Sequence, residues 1–251
     1  PKATSDADQL RRGNMIEYWR KTLAEQGLSG ELIFCRDSDI QGRNECVYVE
    51  DKRLHILLDQ GMLSPMSVYN SQSINYLCVV NGPFGHIIGN KMNFALLNEP
   101  NVKSLFSPEE QELIDSFIPF TRLIDENFKS SDRNRIIDEK DKYVLKIADG
   151  ASGHEIFIGK EAESDHWKEL LSNASTSRQS YVIQEFIESQ SFTYLSHESE
   201  LVNHNLVWGF FVFGDQYAGS VLRTSDKKDG LVINSYLNKG TKKGYMLEVL
   251  K

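Results

Sequence analysis

Lys146 sits inside an apolar run, Val144-Leu145-Lys146-Ile147-Ala148, that opens directly into Asp149-Gly150-Ala151-Ser152-Gly153-His154. A charge in mid-strand among apolar neighbours is costly without a partner. A loop of small residues lets backbone N–H groups approach phosphate oxygens closely. Together they fit a phosphate-binding strand and loop, with Lys146 directing a fixed ammonium at the same oxygens. From pattern alone the plainer reading is a β-hairpin whose lysine faces solvent. It is not a Walker A loop, because no Gly-Lys-Ser/Thr follows it.

Three further groupings could add to such a site. The run Tyr181-Val182-Ile183-Gln184-Glu185-Phe186-Ile187 could lay an apolar strand against a nucleotide base and pair with its edge through backbone groups, or be an ordinary core strand. Arg223, in Leu222-Arg223-Thr224-Ser225, and Asn234, in Val232-Ile233-Asn234-Ser235, end adjacent expected strands, where ligand-binding groups or plain termini are found. Asn90-Lys91 opens an expected helix, whose N–H groups and lysine favour an anion, although lysines at helix starts are commonly just solvated. His154, His166, His197 and His204 make no metal-ligand spacing with one another or with the cysteines. No G-x-S-x-G, H-E-x-x-H or G-x-G-x-x-G is present. Trp208, Phe210, Phe211 and Phe213 read as sheet core, since this chain lacks the basic background of a base-stacking platform.

The elements that must carry these residues follow from periodicity and turn chemistry. A helix over 6–26 has Met15, Trp19 and Leu23 at four-residue intervals and Gly27 as terminator. Short strands are expected at 32–35, 46–50, 53–58 and 76–80, then a turn at 81–85 and a helix over 90–98. Ser107-Pro108-Glu109-Glu110 is a helix start with a capping box, and Leu113, Ile114 and Phe117 form that helix's buried stripe. The charge-dense segment 130–142 reads as a linker or solvated helix. Beyond it come strands at 143–148 and 155–158, a helix at 164–171 with Trp167, Leu170 and Leu171 on one face, and a strand at 181–187. A hairpin of 206–213 and 216–223 turns at Gly214-Asp215, and a last strand is expected at 231–233.

At 40% hydrophobic and 25% charged residues the composition is that of a globular chain. A net charge of −8 disfavours general nucleic-acid binding while leaving room for a local basic pocket. No apolar run is long enough to cross a bilayer. Three widely spaced cysteines do not form a disulfide framework and suit a reducing, cytoplasmic setting. The chain opens at Pro1 without a methionine or a secretory signal, and the expectation is a trimmed piece that lacks an N-terminal segment.

Taken in order, these pieces resemble the circularly permuted ATP-grasp proteins similar to glutathionylspermidine synthase. The resemblance rests on Val79 to Gly85 with Gly89-Asn90-Lys91, on Phe117-Ile118-Pro119-Phe120-Thr121-Arg122, and on Val144 to Gly153. Ile183-Gln184-Glu185-Phe186-Ile187 and the stretch from Asn205 to Arg223 complete it. It implies an α+β, ATP-grasp-like fold with a nucleotide cleft between two α/β lobes. The lobes are expected at 1–142, with a linker, and at 143–251, with the phosphate loop and an antiparallel sheet. It also implies an ATP- and Mg2+-dependent ligase joining a small-molecule or peptide acid to an amine through an acyl phosphate. The alternative is a catalytically silent relative that binds nucleotide or a protein partner. Carried over by position, Lys91 and Lys146 contact phosphates, and Asp149, Gly150, Ser152 and Gly153 belong to the loop above them. Gln184, Glu185 and Ile187 border the adenine, largely through backbone, and Arg223 and Asn234 face the phosphates or the acyl intermediate. The chain departs from the family at Ile147, where proline is usual, and at Ser152 and His154, where glycine is. The magnesium ligands have no counterpart: Asp37, Asp39 and Glu50 are acidic in unmatched surroundings.

Overall fold

The computed structural model describes residues 6–43, 46–58, 77–80, 84–126, 128, 130–150, 153–195, 200–226, 231–233 and 242–245. It is a mixed α+β chain with several small sheets. The chain divides into two compact units, 1–87 and 88–251. The composition break near 142 therefore lies inside the second unit, where strands on either side of it share one sheet.

In the first unit, helix α1 (Asp6–Glu25) ends as its sequence requires. Gly27 adopts a left-handed φ of 69°, its N–H reaches the Ala24 carbonyl, and the Leu28 N–H reaches Leu23. That is a Schellman cap, satisfying carbonyls the helix leaves open. Strands β1 (Ile40–Arg43), β2 (Cys46–Val49) and β3 (Lys52–Leu54) form an antiparallel meander. β4 (Ile56–Leu58) pairs in parallel with β5 (Cys78–Val80). Val47 and Leu77 centre a small core. The strand expected at 32–35 is irregular backbone. The apolar run is there, but no strand among the described residues takes up its hydrogen bonds.

The division between units falls within α2 (Phe84–Gly89), where the sequence suggested a turn. The second unit continues with α3 (Met92–Asn98), α4 (Pro100–Lys103) and α5 (Pro108–Phe117). The capping box at Ser107 and Glu110 is formed in both directions. Of the stripe expected to be buried, Ile114 is half-buried, but Leu113 is 57% and Phe117 75% exposed. Periodicity marks an apolar face but does not supply an element to cover it.

The central sheet runs β6 (Thr121–Ile124), β9 (Tyr181–Glu185), β7 (Tyr143–Ile147), β8 (Ile156–Ile158), antiparallel throughout. On one face α6 (Ser130–Asp138) and α7 (Ser164–Thr176) place Ile136, Trp167, Leu171 and Ala174 against Ile124, Tyr143, Leu145 and Ile183. The Trp167 ring N–H donates to the Ile136 carbonyl at 3.2 Å. On the other face, α3 packs Met92 and Ala95 on Leu123, Ala148 and Val182. Both faces are covered, which is why β7 reads as a nearly continuous apolar run.

A second antiparallel sheet orders β10 (Ser191–Leu195), β11 (Leu201–Phe213), β12 (Gln216–Asp226) and β13 (Lys242–Tyr245). The hairpin turn is as expected, with Gly214 at φ 63° opening a two-residue loop. Residues 231–233 form no strand; β13 takes the edge beside β12. The aromatic run is not sheet core. Phe210, Phe211 and Phe213 are more than half exposed, because β10 and β13 pair only with the base of the ribbon. Among the described residues no helix is long and apolar enough to cross a membrane.

Candidate functional site

Register decides what Lys146 faces. Lys146 stands opposite Val182, Val144 opposite Gln184, and Gln184 opposite Thr121. Cross-strand partners share a face, so Lys146, Gln184 and Thr121 lie together on the face covered by α3, opposite the main core. The Lys146 ammonium donates to Gln184 Oε1 at 2.7 Å. Gln184 Nε2 donates to Thr121 Oγ1 at 2.9 Å, and that hydroxyl donates to the Pro119 carbonyl at 2.8 Å. Gln184 and Thr121 are buried.

Lys91 reaches the same place from the start of α3. Its backbone N–H donates to the Ala148 carbonyl at 3.0 Å, and its ammonium donates to the Gly150 carbonyl at 2.5 Å. Two lysines 55 positions apart in sequence (146 minus 91) thus converge at the end of β7. Burial lowers the pKa of each. The charge of Lys91 lowers that of Lys146 further, while Asp149 partly offsets the effect on Lys91. Neither lysine makes an ion pair with a described carboxylate. Two partly buried cations, close enough to oppose each other and held by neutral acceptors, form a locally positive site to which an anion would be attracted.

Glycine is required at Gly150 by the chain's own packing. A Cβ at Gly150 would run into the Ile147 side chain. Gly153 and Glu155 both take left-handed backbone, φ 79° and 50°. Gly supplies this conformation freely, whereas Glu155 is held in it. Its carbonyl accepts the Ile147 N–H, and its carboxylate accepts the Tyr181 hydroxyl at 2.6 Å. Ser152 lies outside the described residues.

The anion-binding helix start suggested by Asn90-Lys91 is not carried by the backbone. α3 has seven residues, and Asn90 Oδ1 already accepts the Met92 N–H at 2.9 Å. Lys91 contributes through its side chain.

Glu185 ends β9 with its N–H on the Phe120 carbonyl, and Ile187 follows, 61% exposed, in the irregular segment leading to β10. Beyond it lies a cavity of about 450 Å³ lined by Glu188, Ser189, Ser191, Asn205 and Leu231. Arg223 is half-buried on β12, opposite Val207, and makes no side-chain hydrogen bond or ion pair among the described residues. It belongs to the second sheet and takes no part in the lysine cluster's hydrogen bonds. Asn234 lies outside the described residues. No group of three His, Cys, Asp or Glu side chains among those described could hold a metal ion, so no magnesium site is assigned.

Sequence reasoning missed the side-chain roles of Gln184 and Thr121. Gln184 breaks the apolar run of β9, whereas Thr121 opens β6 beside Arg122, and nothing in either segment alone names the other as its neighbour. No family model matches the chain, and no curated protein matches it.

Proposed function

We propose that the second unit binds the polyphosphate of ATP between Lys91, Lys146 and the Asp149–Glu155 loop, in an ATP-grasp-like arrangement, and serves an ATP-dependent carboxylate–amine ligase in the cytoplasm. The observation that carries this reading is the convergence of two partly buried ammonium groups, neither ion-paired with a described carboxylate, beside a loop that includes Gly150 and Gly153. In the reaction, a carboxylate oxygen of the acid attacks the γ-phosphorus and ADP leaves. The amine nitrogen then attacks the acyl carbon, inorganic phosphate leaves, and the amine gives up a proton to solvent. Lys91 and Lys146 hold the phosphate oxygens on which charge accumulates. Fixed cations act more strongly in a site that excludes water.

The test supplies ATP with candidate acid and amine pairs and measures ADP. ADP is expected only when acid and amine are both present, and Lys146→Ala is expected to lower turnover roughly a hundred- to a thousandfold. Unchanged turnover in that variant would remove Lys146 from the mechanism.

Asp149 favours a second reading, nucleotide binding without turnover. Its exposed carboxylate acts on Lys91 and cancels part of the charge that a transferring phosphoryl group would need. ATP binding measured by calorimetry, with no ADP formed for any acid and amine pair, would select that reading.

A further inference from the structure

We infer that Gln184 is a positioning residue, whose neutral side-chain amide aims Lys146 at a bound polyphosphate without discharging it. This rests on the reading of the lysine cluster as a phosphate site. The direction of the hydrogen-bond chain is forced from both ends. The Pro119 carbonyl can only accept, so the Thr121 hydroxyl spends its proton there at 2.8 Å. Thr121 Oγ1 must then accept from its other neighbour, which turns the NH2 of Gln184 toward it at 2.9 Å. The amide oxygen is left facing Lys146 at 2.7 Å, and an ammonium can only donate. Each link has one possible sense, so the amide cannot flip without stranding a buried polar atom.

Among the described residues that arrangement engages one of the three ammonium protons, leaving two for a ligand. Glutamate at the same place would also accept from Lys146, but it would form a buried ion pair and neutralise the site. It would also present an acceptor to Thr121, whose proton is already committed. The other residues sharing this sheet face near Lys146, namely Leu123, Val144, Ile156 and Val182, carry no titratable group. The charged groups acting on it are therefore Lys91 and, through Lys91, Asp149.

The experiment uses the full chain with ATP as probe. Kd is measured by calorimetry from pH 6 to 10, and the rate of Lys146 acetylation by acetic anhydride is followed by mass spectrometry over the same range. For Q184E we expect ATP binding weakened tenfold or more and the pH midpoint of Lys146 acetylation moved upward. T121V should weaken binding several-fold, and T121S, which keeps the hydroxyl, should restore it. Wild-type affinity together with an unmoved acetylation midpoint in Q184E would overturn the role of Gln184. No ATP binding by the wild type would overturn the phosphate site itself. An upward midpoint in Q184E would then still establish the contact between Gln184 and Lys146 but not its purpose.

Discussion

Lys91 and Lys146 carry opposite consequences for binding and for stability. Burial lowers the pKa of both. Below those lowered values each lysine is charged in the folded and the unfolded chain alike, and the whole desolvation cost is present. Between them and the ordinary lysine range, the folded chain has released protons that the unfolded chain still holds, so stability rises with pH in that window. Anion affinity runs the other way and falls as the same protons leave. Lys146→Met is therefore expected to flatten the rise of Tm with alkaline pH in thermal unfolding, while at pH 7 the relief of desolvation is set against the Gln184 Oε1 acceptor left without its donor. The same change should weaken ATP binding by about ten- to a hundredfold in calorimetry. Tyr181 offers an independent check. Its hydroxyl donates to Glu155, which pushes its pKa up to about 12. Ultraviolet titration of Glu155→Gln should show one tyrosine ionising at lower pH than in the parent.

At the scale of elements, covered and uncovered faces separate cleanly. Trp167 on α7 is fully enclosed, and Trp167→Ala is expected to cost about 3–5 kcal/mol in denaturant unfolding. Phe213, at the tip of the β11–β12 ribbon, is 67% exposed, and Phe213→Ser should stay within about 0.5 kcal/mol of the parent. Ser107→Ala removes one half of the capping box and should cost about 1 kcal/mol. The contrast explains what the sequence made legible. Turn and cap chemistry is local, so Gly27, Ser107 and Gly214 announced their structures. Strand β7 and its lysine were legible because an ammonium in an apolar run is conspicuous. Whether Phe117 or Phe213 would be covered depends on elements distant in sequence, and alternation alone is silent on that. The partnership of Gln184 with Lys146 depends on strand register, which pairing partners fix and neither strand encodes alone.

For the whole molecule, every described residue of the lysine cluster belongs to the unit 88–251. That unit, produced by itself, is expected to bind ATP within about threefold of the full chain, and calorimetry on the two proteins compares them directly. Loss of binding in the isolated unit would mean that residues before Ile88 complete the site. Within the unit, Gly159 is buried against the chain just before β7. A Cβ there would strike the Lys140 carbonyl, and Lys140 in turn donates its ammonium to the Gly159 carbonyl at 2.9 Å. This clasp sits beside the Val144–Ile158 pairing that begins the β7–β8 ladder. A strand that slips by one residue exchanges its two faces. The strand that a slip at the clasp would turn over is β8 at the sheet edge, while β7 keeps its five-residue pairing with β9 and Lys146 keeps its face. Gly159→Ala is therefore expected to lower Tm by loosening the outer strand while ATP affinity stays near that of the parent, a pair of outcomes that thermal unfolding and calorimetry check together.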